Sequence, residues 1–519
     1  MAQALSSWLH EKLSRRRSRA IAWPDTERKG RRSSTPSSRP EQVLAMRAEV
    51  VRRYTAPEPD SELAHYSYRG ESEKSDDAID ELPSGGSRAS SPRILPLRSP
   101  KDKLLHCGGK VAPCTPPRTE YEPHATLEPN ASRKSAAPSG TDVAAPTLVK
   151  TRGVIEAYIA QGLCVGAQVS TKVEGKEQHD LVVGEVRENV PMQKDVLMHM
   201  MSTTKVVGVV AIGQLLDRKL ITINDRVAKH IPEFGKFGKE LIRIEHLLTH
   251  TAGIPYADAA MWTKLHMTDE VLRVIYDSKL EHGWQPGRKA GYHAYSAWFL
   301  LGEIVRRVDG RPFEQYAMEE IFKPLGMTDT HVGMSHEQFI KYSDAGLIAE
   351  LWTRNAQGAT VGTASTFTSE AEVTGCVPGA NGRGPACQWL RLFEMLLREG
   401  VGRDGVRLLN ASTVKKLTRR FRVGMYDIVQ GIQCDWTLGL FVGSSVVGPH
   451  ASPDSYGHGG SQSSLGWCDP LHKLSAVIVC NTRPGPKIHH ERAVRIATAI
   501  YEDLGLAGNG NDSVTKQQE

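Results

Sequence analysis

The chain has 519 residues, 39% of them hydrophobic before its 47 glycines are counted, and a formal net charge of +6. That length holds two to four average domains or one large domain with tails. The mild charge without aromatic-plus-basic interleaving excludes a dedicated nucleic-acid module, and no apolar run approaches the roughly 20 residues that span a bilayer.

Residues 1–145 read as a disordered, low-complexity tail. They carry Arg15-Arg16-Arg17, Arg31-Arg32-Ser33-Ser34, an acid-dense stretch from Glu71 to Glu81 and repeated Ser-Pro steps. Such a segment buries too little apolar surface to offset the entropy of ordering. A short helix near Leu5-Trp8-Leu9-Leu13 followed by arginines is compatible with a mitochondrial presequence, although Glu11, Asp25 and Glu27 count against it. Arg15–Arg19 also fits a nuclear-import patch. No apolar core follows the first charges, so a secretory leader is not expected. Eight cysteines are too sparse for a disulfide scaffold, and Cys107 and Cys114 lack the second pair of a zinc site. No metal or cofactor is expected. Reduced thiols place the protein inside the cell, in the cytoplasm or, alternatively, the mitochondrion.

A folded domain is expected over 146–508, with 509–519 as a second disordered end. Leu148 to Gly162 reads as a helix ending at a glycine cap. Val165–Val173 and His179–Val186 read as strands joined by a turn at Glu174-Gly175. Next comes Ser202-Thr203-Thr204-Lys205, opening the apolar helix Val206–Leu216. A helix-rich stretch runs to about Arg398. Strands are predicted at Thr437–Val442, Leu465–Cys468 and Leu474–Val479, and a last amphipathic helix over His490–Leu504. Strands at both ends with helices between them predict an α+β fold: one antiparallel sheet flanked by terminal helices, plus an inserted helical region.

Ser202 and Lys205, three residues apart, share one helix face about one turn apart. At a helix N-terminus, backbone N–H groups favour developing negative charge on the serine. A lysine opening a core-facing helix loses solvation, and its lowered pKa suits it to accept the serine's proton. Alone, Ser-x-x-Lys also fits an N-cap serine and a surface lysine.

Further segments change that balance. They are Ile223–Phe234, Leu247-Leu248-Thr249-His250-Thr251-Ala252-Gly253-Ile254-Pro255, Gly291-Tyr292-His293-Ala294 before Leu300–Val308, Pro378–Gly384, and Gly457-His458-Gly459-Gly460-Ser461 before Leu465-Gly466-Trp467. Together with Ser202-x-x-Lys205, over about residues 148–506, the chain resembles the serine β-lactamase-like family, in its esterase branch related to class C β-lactamases and penicillin-binding proteins. The resemblance implies a β-lactamase/transpeptidase-like fold and a serine carboxylesterase-type hydrolase acting on a small-molecule ester. It assigns Ser202 as nucleophile, Lys205 as base or electrostatic helper, and Tyr292 as proton shuttle. Tyr295, followed by Ser296, competes with Tyr292; ungapped counting back from Leu300-Leu301-Gly302 favours Tyr292. The oxyanion hole would be the Ser202 and Ser461 N–H groups, with Gly459 and Gly460 letting the strand approach the substrate. An acyltransferase using the same acyl-enzyme, or a silent scaffold with this fold, are the rival readings.

Two positions depart from the family pattern. Ala294 stands where an asparagine is usual, and His458 where β-lactamases have lysine. Both move the expectation from anionic antibiotic or cell-wall substrates towards esters. His458 is expected either to tune Tyr292 by a hydrogen bond or only to position the strand. His250 is expected to fix a turn, Asp225 to order the loop before Val227, and Asn381 to shape its glycine-rich turn. Tyr256 and Trp262 are candidates for the substrate pocket or for core packing.

Overall fold

The computed structural model describes residues 148–257, 268–355, 358–362 and 367–508. The expected tails and their targeting-like segments lie outside those residues.

The first helix, α1, covers Val149–Ala160 and stops before Gly162 at φ 67°, the left-handed position that glycine takes without a Cβ penalty. Strands β1 (Gly166–Val173) and β2 (Gln178–Arg187) follow, then the short β3 (Val190–Pro191) and β4 (Met198–His199). A 3₁₀ turn at Met201–Thr204 leads into α2, Lys205–Asp217. The helical region contains α3 (Ser296–Asp309), β5 (His331–Val332), β6 (Gly382–Gly384) and α4 (Ala386–Leu397). The chain then forms a hairpin of β7 (Tyr426–Asp427) and β8 (Ile432–Gln433), strands β9 (Phe441–Val442), β10 (Tyr456–Gly460), β11 (Ser464–Asp469) and β12 (Leu474–Cys480), and helix α5 (Pro486–Asp503).

The main sheet has the order β9-β10-β11-β12-β1-β2-β3, and every neighbouring pair in it is antiparallel. β1 and β12 pair over Ala167↔Cys480 to Val173↔Leu474, so the two ends of the domain close the sheet and the helical region is inserted between them. β12 is buried along its whole length. Its alternate residues Leu474, Ala476, Ile478 and Cys480 pack with Ile155 of α1 and Ile496 and Ile500 of α5. Val477 and Val479 face the opposite cluster, with Trp389 and Phe393 of α4. This is the period of two expected of a strand covered on both faces, each large side chain contributing roughly 1.5–3 kcal/mol.

Helix α2 is buried from Lys205 to Leu215. A helix apolar on every side belongs in an interior, and α2 packs against α3 and the short helix Ala411–Thr418. It thereby holds Lys205 at the boundary between the helical region and the sheet.

Two sequence expectations shift. Only Phe441–Val442 is strand, because Thr437 and Leu440 close a turn on each other and Gly439 takes φ 105°. Ser202 lies in the 3₁₀ turn before α2 rather than in its first α-helical turn. Among the described residues, no helix is long and apolar enough to cross a membrane.

Candidate active site

The Ser202 turn is clamped from beneath. Met200 N–H donates to Gly382 O at 2.9 Å, and Gly382 N–H donates to Thr204 Oγ1 at 2.8 Å. Thr203 Oγ1 donates to His458 O at 3.0 Å and lies 2.9 Å from Ser464 Oγ, whose own hydroxyl donates to Met200 O at 2.6 Å. Thr203 and Thr204 are fully buried, while Ser202 between its neighbours is half-buried. Met201 stands at φ 47°, a left-handed conformation that costs a non-glycine residue of order 1 kcal/mol or more and collects at functional turns.

Gly460 explains how β10 reaches this turn. A Cβ there would sit 2.4 Å from Met200 O and 2.2 Å from Ser464 Oγ, so any side chain would push the strand off. At Gly459 a Cβ would meet only Ser464 O, at 3.9 Å. Of the two glycines, Gly460 therefore faces the serine turn and Gly459 faces space. Ser461 follows at the strand end, half-buried.

Lys205 is fully buried. Its Nζ donates to Ser202 Oγ at 3.1 Å, Ala294 O at 2.9 Å and Gly379 O at 2.7 Å. It also stands 5.3 Å from the Tyr292 ring centroid and 5.4 Å from that of Trp298, within cation–π range. The backbone carbonyl of Ala294 thus serves Lys205, a use for this position that does not depend on a side-chain amide.

The Tyr292 ring is half-buried among other rings: His250 at 4.5 Å, Trp436 at 6.2 Å and His458 at 6.3 Å between centroids. These imidazoles are neutral. Burial, with help from neighbouring cations and imidazoles, holds His250 well below the ordinary histidine range. Burial and the nearby Lys205 push His458 down to about 3, and burial takes His293 to about 3. His458 Nδ1 faces Gly459 O at 2.7 Å, and its Nε2 makes no hydrogen bond. Of the two alternatives for His458, the hydrogen bond to Tyr292 is not formed, because the ring is turned to its own strand; packing beside Tyr292 is what the structure shows.

His250 orders its turn as expected. It adopts φ 58°, its carbonyl accepts from Gly291 N–H at 3.0 Å, and its Nδ1 accepts from His293 N–H at 3.1 Å. His293 Nε2 in turn accepts from Ile254 N–H at 3.0 Å. Tyr256 is half-buried on that same loop, beyond the His293 anchor, and Trp262 lies outside the described residues. Asp225 accepts from Thr222, Lys229 and His230. Asn381 Oδ1 accepts from Val377 N–H, and its amide donates to Glu372 O. Both are loop-ordering residues.

Sequence reasoning missed one component. Arg422 and Asp427 form a buried ion pair, 3.3 Å apart. Asp427 Oδ1 accepts from Tyr292 N–H at 2.9 Å, and Arg422 donates to Thr249 O at 3.0 Å. One pair thus pins both the Tyr292 segment and the Thr249–Gly253 turn. The signal was faint: a single acid inside the apolar run Val423–Ile432.

Comparison with known proteins gives a family and a fold. The sequence pattern of the family described as "Beta-lactamase" matches residues 151–500. A putative D-alanyl-D-alanine carboxypeptidase of Escherichia coli (strain K12) is 29% identical over 315 residues, covering 53% of this chain and 66% of that protein. The chain therefore spans just under two thirds of that relative's length. The esterase/beta-lactamase LipL of Mycobacterium tuberculosis is 25% identical over 335 residues, 59% of this chain and 73% of the relative. The crystal structure of a family VIII carboxylesterase superposes with a TM-score of 0.58 at 27% identity, covering 70% of this chain and 99% of that one.

Proposed function

The chain belongs to the beta-lactamase family, and we propose that within it the protein is a serine hydrolase cleaving carboxylic esters through an acyl-enzyme on Ser202. The observation that carries this reading is the fully buried Lys205 with its Nζ 3.1 Å from Ser202 Oγ. In the proposed reaction Ser202 Oγ attacks the ester carbonyl, and its proton passes to the Lys205/Tyr292 pair. The N–H groups of Ser202 and Ser461 receive the oxyanion. Tyr292 then protonates the departing alkoxide, the C–O bond breaks, and water resolves the acyl-enzyme by the reverse proton route. Tyr292 is preferred to Tyr295 because its ring faces Lys205 Nζ, whereas Tyr295 caps α3 and packs on the main core.

The neutral His458 supports esters over anionic substrates. A position that holds no charge at working pH gives a substrate carboxylate nothing to pair with. We place the protein in the cytoplasm, with the mitochondrion as the alternative; imaging a tagged full-length chain tests this. Short-chain p-nitrophenyl esters test the activity. A burst of about one p-nitrophenol per chain, lost in Ser202→Ala, is expected, and unchanged turnover in that variant would sink the proposal.

A further inference from the structure

The β7–β8 hairpin inverts the usual arrangement of a surface element. Between Val423 and Gln433 only Asp427 is buried, while Val423, Tyr426, Ile428, Val429 and Ile432 are exposed, Val423 to 62% and Tyr426 to 55%. The other exposed large apolar side chains among the described residues are dispersed along the chain from Val149 to Leu471. Apolar residues scattered singly need no explanation, but a contiguous exposed group marks a binding surface. Burial of Asp427 is explained by its Arg422 partner and its backbone hydrogen bonds, but the fold gives no reason to leave five apolar side chains around it in water.

The buried acid ties the hairpin to the Tyr292 segment. Asp427 Oδ1 accepts from Tyr292 N–H at 2.9 Å and from Val429 and Gln430 N–H at 3.1 Å. Ile428 N–H donates to Ala290 O at 3.0 Å. Ile428 Cγ1 and Val429 Cγ2 lie over Gly291, where a Cβ would meet them at 3.2 Å and 3.4 Å. Ile428 and Val429, at the tip of the hairpin, therefore continue the candidate site outward from Tyr292. In the ester-hydrolase reading, on which this inference rests, Tyr292 protonates the leaving alkoxide. The alcohol half of the ester then lies on the Tyr292 side, and the acyl half stays on Ser202.

We propose that the exposed apolar side chains of this hairpin bind the hydrocarbon part of the alcohol half, selecting esters of hydrophobic alcohols. Val423–Gln433 contains no Lys or Arg, so nothing in it would draw an anionic lipid surface, and a hairpin tied to Tyr292 through Asp427 suits one chain of a dissolved substrate.

The test uses the full-length protein with two ester series below their aggregation limits: acetates of alcohols from ethyl to octyl, and ethyl esters of the matching acids. In the alcohol series kcat/KM should rise about twofold to threefold per methylene, short of the roughly fourfold of full burial, and stay nearly flat in the acid series. Two separate variants, Tyr426→Ser with Ile432→Ser and Ile428→Ser with Val429→Ser, should flatten that rise. Leu241→Ser with Leu471→Ser, exposed elsewhere, should leave it intact. A rise confined to the acid series, a slope unchanged in both hairpin variants, or a rise seen only with added phospholipid vesicles would each overturn the inference. Hydrolysis with Ser202 labelled but the slope unaffected overturns this inference alone. No hydrolysis and no labelling of Ser202 overturns the parent reading and this one with it.

Discussion

Lys205 and Lys239 are both fully buried, both donate to two backbone carbonyls, and both lie beside aromatic rings. Lys239 Nζ serves Tyr276 O and Ser278 O at the end of helix Thr268–Asp277, with Phe234 and Phe237 at 5.1 Å and 5.3 Å. It satisfies carbonyls that a helix terminus leaves open and meets the negative end of its dipole. Lys205 likewise satisfies two carbonyls, Ala294 O and Gly379 O, but these lie in loops rather than at a helix C-terminus, its third donor reaches Ser202 Oγ, and a phenol ring stands beside it. Burial pushes Lys239 down to about 8, a value suited to a general base. Its hydrogen-bond partners are carbonyls and its charged neighbours are Lys236, Glu240 and Asp277, so it holds no hydroxyl to deprotonate. What separates the proposed catalytic lysine from a structural one is the hydroxyl within reach, and burial alone does not make the difference.

Exchanging each lysine for methionine breaks the comparison most sharply. Lys205→Met should lower kcat/KM for p-nitrophenyl acetate by ~10³-fold or more. Lys239→Met should leave kcat/KM within a few-fold and instead lower stability by about 1–3 kcal/mol, the cost of uncovering buried carbonyls, read by urea denaturation. Tyr292→Phe comes next, with an expected loss of ~10²–10⁴-fold in kcat. Tyr295→Phe should change kcat by less than tenfold, and the opposite ranking would transfer the proton-shuttle role to Tyr295.

The pH dependence of stability isolates Lys239. Its ammonium titrates near pH 8 in the fold and near 10.5 when unfolded. Between those values the unfolded chain holds more protons, so unfolding free energy should rise with pH across that window. Denaturation curves at pH 8 and pH 10 should show the rise in the natural chain and a smaller one in Lys239→Met. The smallest effect is expected at His458, which is already neutral at working pH. His458→Ala should lower kcat modestly by loosening the rings around Tyr292 and leave the shape of the pH–rate profile unchanged. A displaced pH limb would show that the imidazole tunes the phenol after all.

Much of this fold could be read in advance, and the reasons differ by element. Strands β1, β2, β11 and β12 and both terminal helices follow from local periodicity, which tertiary packing here reinforces. Thr437–Gly439 could not be separated from strand, because its alternation is apolar while a threonine hydroxyl and a positive φ turn it. Ser202 and Lys205 stand out as a pair only because their spacing is short. The carbonyls of Ala294 and Gly379 that hold Lys205 come from segments 89 and 174 residues away, and backbone acceptors leave no trace in residue identity. Asp427 escaped for the same reason: its bond to Tyr292 spans 135 residues, and its local context reads as an apolar loop.

Whether Lys205 makes Ser202 a nucleophile is decided by mapping the peptide modified by a fluorophosphonate in the full-length protein. The expected adduct lies on Ser202 in the natural chain and in Lys239→Met, and is lost in Lys205→Met. Labelling of Ser202 at an undiminished rate in Lys205→Met, or an adduct on another residue of the natural chain, would rule out activation of Ser202 by Lys205.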